Sequence, residues 1–67
     1  MEYGKKVREY VVLWYPSYWG PIQEDRFNST HRSGSKANLE DAMSYLKLHY
    51  GYKRYIEIDR IYLTDDR

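Results

Sequence analysis

The chain predicts a small α+β domain of ββαβ order, a three-stranded sheet with one helix packed on one face. Three observations point there. Residues Asn38 to Gly51 carry a full helix signature. Val7 to Tyr15 and Tyr55 to Leu63 are rich in β-branched and aromatic residues, which suit a pleated, half-buried surface. A length of 67 residues accommodates one core, so the domain is expected to run 1–67.

The helix comes first because it is the best signalled. Asn38 is a suitable N-cap, with a side chain that accepts from an unpaired first-turn N–H. Asp41 three residues on makes a shortened capping box and sets negative charge near the positive helix end. Lys47 and His49 fall in the last turn, and Gly51 is the residue type that closes a helix, with Tyr52 placed to fold back on it. Leu39, Ala42, Met43, Leu46 and Tyr50 share one stripe at 100° per residue, flanked by His49. Leu48 lands nearly opposite and is expected on the surface. A helix this short is marginal alone and needs a partner surface.

Val7 to Tyr15 supplies that surface. Tyr10, Val12 and Trp14 face one way, and Val11, Leu13 and Tyr15 the other. A strand apolar on both faces is either central or covered on its far side by a partner. Pro16 ends it, and Pro16 to Pro21 reads as a turn that puts Tyr18 and Trp19 at a loop tip, as a lid or as a displayed pair. Residues 22–28 read as a second, edge strand, with Gln23, Asp25 and Phe27 on one face and charges that discourage stray pairing. Asn28 to Lys36 reads as a polar, flexible loop. In the last strand Ile56 and Ile58 share a parity that Ile61 and Leu63 break. Either a bulge near Asp59–Arg60 restores the apolar face, or the strand end is apolar on both faces. Residues 64–67 read as a polar tail. The last strand is expected beside the first.

Composition bounds the function. Eleven basic and ten acidic residues give a net charge of +1, too balanced for a typical DNA-binding domain or for an acidic DNA mimic. There is no cysteine, hence no disulfide or thiolate metal site. No run reaches the ~20 apolar residues of a membrane span, and the start lacks a signal-peptide core. The expectation is a whole gene product in a reducing cytoplasm, with no membrane partner. Nine Tyr, two Trp and one Phe exceed what one helix-on-sheet core can hold. The surplus rings form a contact surface or line exposed sheet faces.

Catalytic constellations are missing. His31 and His49 have no metal-motif spacing, Ser29, Ser33 and Ser35 have no nucleophile elbow, and there is no phosphate-cradling glycine loop. Glu57 and Asp59 read as a solvated strand face. The chain is expected not to be an enzyme and to use no cofactor or metal.

Asn38-Leu39-Glu40-Asp41-Ala42 through Tyr50 and Glu57-Ile58-Asp59-Arg60-Ile61 resemble the helix and last strand of a family of small early proteins of T-odd phages that inhibit the host's bacterial RNA polymerase. The resemblance covers about one third of the chain. It implies the same strand, strand, helix, strand order and a polymerase-docking role. In that family two arginines on the last strand contact the polymerase. Arg60 matches the first, and Tyr62 stands where the second falls.

Together these readings give a protein-binding module, a phage-type inhibitor docking on a larger host protein such as RNA polymerase in the host cytoplasm. Its partner-binding residues are expected to be Arg60, Tyr62, Tyr55, Tyr18 and Trp19, where Arg supplies charge-assisted hydrogen bonds and the rings supply area. Two alternatives stay open. A single-stranded nucleic-acid surface would use Arg8, Tyr10, Arg26, Lys53, Arg54, Tyr55, Arg60 and Tyr62. Acids in the same strands, Glu9, Glu24, Asp25, Glu57 and Asp59, oppose phosphate but suit a protein of mixed charge. A self-associating homodimer would bury the first strand's second face and Leu48.

Overall fold

A computed structural model of the chain describes residues 6–17, 20–51 and 55–66. Tyr18, Trp19, Tyr52, Lys53, Arg54 and the first five residues lie outside them. Strand β1 (Arg8–Tyr15) is followed by β2 (Gln23–Ser29), helix α1 (Lys36–Tyr50), β3 (Glu57–Leu63) and a short 3-10 turn, Thr64–Asp66, where the sequence reads as a plain tail. The sheet order is β2-β1-β3, and both neighbours run antiparallel to β1. The doubly apolar strand is therefore the central one, and α+β with ββαβ order holds.

The core lies between this sheet and α1. Tyr10, Val12 and Trp14 of β1, Phe27 of β2, and Ala42 and Leu46 of α1 are buried together, with Tyr45, Ile56, Ile58, Ile61 and Leu63 packed around them. Phe27 stacks on Tyr10 at 5.7 Å between ring centroids and reaches Tyr45 at 6.1 Å. Burying rings of this size gives a short chain most of its apolar stabilisation.

The parity slip in β3 is resolved by a bulge. Trp14 pairs with Ile58 but Leu13 pairs with Arg60, so Asp59 and Arg60 oppose a single step of β1. Ile58, Ile61 and Leu63 then all face the helix.

The helix begins earlier than its sequence signature suggests. Ser35, not Asn38, is the N-cap, and its Oγ accepts from the Asn38 N–H at 3.0 Å. Two cap-type residues three apart compete, and the tertiary contacts decide. Asn38 is fully buried, and its Nδ2 donates to the Arg32 carbonyl at 3.4 Å. Its Oδ1 has no partner among the described residues. Asp41 consequently sits in the second turn, outside any capping box, and the first turn holds no acid. The buried stripe shifts to Asn38, Ala42 and Leu46, with Tyr45 partly buried beside it, while Leu39 is 47% exposed and Tyr50 38% exposed. Leu48 is exposed as expected. Gly51 ends the helix at φ 95°, and its N–H donates to the Lys47 carbonyl at 2.8 Å.

The stretch read as a flexible loop is held at several points. The Tyr10 hydroxyl donates to the His31 carbonyl at 2.6 Å. The His31 N–H donates to Ser29 Oγ at 3.1 Å, and that hydroxyl donates to Asp41 Oδ2 at 2.9 Å.

Candidate functional site

Alternation along the strands divides the sheet into two faces. Residues directly opposed in an antiparallel pair share a face. The helix side holds Tyr10, Val12 and Trp14 with Phe27, Asp25, Ile61 and Leu63. The far side holds Val11, Leu13 and Tyr15 of β1. Beside them stand Glu24 and Arg26 on one flank and Glu57, Arg60 and Tyr62 on the other.

This far face gathers three of the residues expected to bind a partner. Arg60 lies opposite Leu13 and is exposed. Tyr62 lies opposite Val11 and is half-buried. Tyr55, also half-buried, donates from its hydroxyl to Glu57 Oε1 at 2.6 Å, and Glu57 lies opposite Tyr15. The bulge is what puts Arg60 here, next to Tyr62 in the alternation rather than in the core. Tyr18 and Trp19 lie outside the described residues, so the geometry bears only on the strand half of the expected surface.

The face differs from a bare apolar plane. Val11 at its centre is fully buried. In the register it lies between Arg26 and Tyr62. Charges of both signs surround the apolar strip, including an Arg26–Glu24 pair at 3.9 Å. The strip offers Leu13, Tyr15 and Tyr62 as contact area, with Arg60 as an exposed cation beside it.

A second cluster lies on the helix side and is structural. Asp25 Oδ2 accepts from Trp14 Nε1 at 3.1 Å and from the Tyr50 hydroxyl at 2.9 Å. Trp14 and Tyr50 rings stand 4.8 Å apart, and Tyr45 and His49 rings 4.3 Å apart. The hydrogen bond to Asp25, then burial, raises the Tyr50 hydroxyl above its ordinary pKa. Burial first, and the Asp25 charge second, raises Tyr45. With rings this close there is no space between them for a ligand. Ser29, Asp41 and His31 also converge, with His31 Nε2 3.7 Å from Asp41 Oδ2. The Ser29 hydroxyl donates to the carboxylate but is buried, out of reach of a substrate, so this contact fastens the loop to the helix. Among the described residues no group of three or more His, Asp or Glu is placed to hold a metal ion.

Sequence reasoning missed the groove between α1 and β3. It measures about 390 Å³ and is lined by Lys36, Leu39, Ile58, Asp59, Arg60 and Ile61, together with Gly34 and Ser35. The signal available was Leu39, which follows a buried Asn at the helix start, but the stripe as read placed it in the core. No family model matches the chain, and neither a curated protein nor a solved structure matches it at a significant level.

Proposed function

We propose that the chain is a small protein-binding module that docks on a larger protein through the sheet face opposite the helix. The phage-type inhibition of a host enzyme such as RNA polymerase, in the host cytoplasm, is the first form of this reading to test. The observation that carries it is the placement of Arg60 and Tyr62 as neighbours on that face, beside Leu13 and Tyr15 and among charges of both signs. Among the described residues, only Tyr10, Trp14 and Phe27 of the rings are buried, which leaves Tyr15, Tyr55 and Tyr62 partly accessible for contact. Mixed charge around a ring-bearing strip suits a protein surface better than a phosphate backbone.

The nucleic-acid alternative loses a member. Tyr10 is fully buried with its hydroxyl on a backbone carbonyl, so it cannot stack on a base. No helix among the described residues is long and apolar enough to cross a membrane.

The test is affinity capture from bacterial lysate with and without nuclease, repeated with Arg60→Ala. One large protein retained after nuclease treatment, and bound ~1–2 kcal/mol more weakly by the variant, is the expected result. Recovery of nucleic acid alone, with binding that falls steeply as salt rises, would overturn it.

A further inference from the structure

We propose that the groove between the first turns of α1 and the outer edge of β3 takes a short extended peptide from another protein, one in which an apolar side chain stands beside a carboxylate. This rests on the reading of the chain as a protein-binding module and names what the partner presents.

Three features define the occupant. The floor is apolar: Leu39, half-exposed in the isolated domain, faces Ile58 and Ile61 across a space of about 390 Å³. One buried aliphatic side chain fits a cleft of that chemistry. The rim is cationic. Lys36 and Arg60 both line the groove, among the described residues neither has an ion pair, and α1 opens without an acid in its first turn. The positive helix end therefore adds to these two cations, and among the described residues Asp59 is the only acid in the lining. A carboxylate on the Lys36 side, away from Asp59, matches this distribution.

The third feature is the edge. β3 is an outer strand, so its backbone groups on the side away from β1 are open to pairing with an added chain. The bulge at Asp59–Arg60 limits how much can pair, because a long strand cannot keep one register across it. A short segment is accommodated. The β3 of a second copy, which would have to cross its own bulge as well, is not.

The probe is a blocked heptapeptide of alternating valine and glutamate, titrated into the isotope-labelled full chain and followed by amide NMR. A valine–lysine peptide is the control. The glutamate peptide is expected to shift the amides of Lys36, Leu39 and Ile58 to Ile61 at millimolar concentration, and the lysine peptide to shift them far less. Lys36→Glu, at an exposed position that leaves the fold intact, should weaken the glutamate peptide roughly tenfold. Equal response to both peptides, shifts centred on Leu13 and Tyr62 instead, or no response overturns the groove. Shifts at the groove that grow with the chain's own concentration also overturn it, in favour of a second copy. In the lysate capture, retention by Lys36→Glu with loss in Tyr62→Ala rejects the groove while leaving the docking face standing.

Discussion

Helix α1 meets the two outer strands in different ways. Along β2 it is fastened by polar side chains: Tyr50 reaches Asp25, Asp41 accepts from Ser29, and Tyr45 lies against Phe27. Along β3 the strand offers aliphatic side chains, which bring no hydrogen bonds, and the seam opens into a groove beside Leu39. A directional polar bond fixes one geometry, whereas apolar contact tolerates a gap or a guest. The side with directional bonds is built for rigidity. The side without them holds the groove with Lys36 and Arg60 in its lining, and the peptide-binding reading belongs there.

The contrast can be broken by substitution. Asp25→Ala should have the largest effect, because it leaves the buried Trp14 N–H without its acceptor and frees Tyr50 as well. A loss of ~1–3 kcal/mol is expected in urea unfolding followed by circular dichroism. An unchanged midpoint would mean the β2 seam is not fastened through Asp25.

Tyr50→Phe should cost less at neutral pH, about 0.5 kcal/mol, since the ring is partly solvent-exposed and keeps its contact with Trp14. Its pH dependence is the sharper test. The folded-state pKa of Tyr50 lies above the unfolded value, so its contribution is complete below pH about 10 and fades as pH climbs through the raised value. Urea midpoints of the parent chain and of Tyr50→Phe should therefore converge under alkaline conditions. A gap that widens there would contradict the bond to Asp25.

Leu39→Ser should have the smallest effect, within about 0.5 kcal/mol, because the β3 seam does not depend on that side chain. A loss comparable to that of Asp25→Ala would show that both seams are equally structural.

The sequence made the element order legible because each element carries a local signal. The facing of β1 follows from simple alternation, while the slip between Ile58 and Ile61 left open a bulge or an end apolar on both faces, and the register decides for the bulge. Less legible were features set by contacts distant along the chain. Ser35 and Asn38 are equally plausible caps until Arg32 presents its carbonyl to Asn38. Asp41 looks like a capping acid until Ser29, across the fold, takes its oxygen. The loop from Asn28 to Lys36 reads as flexible because its anchor, the Tyr10 hydroxyl, comes from a strand 21 positions earlier. At the candidate face, Arg60 and Tyr62 share the parity of the inward Ile58, so only the register across the bulge places them outward, and the burial of Val11 likewise depends on cross-strand neighbours.

Strand β3 carries one residue more than its inside–outside pattern requires. Removing Asp59 would leave Ile58, Ile61 and Leu63 inward and Arg60 and Tyr62 outward, so the domain could shed that residue without turning any neighbour over. What it would lose is irregularity. A straightened outer strand is a template on which identical molecules can zip together. The surplus aspartate thus keeps β3 from presenting one unbroken edge to its own copies.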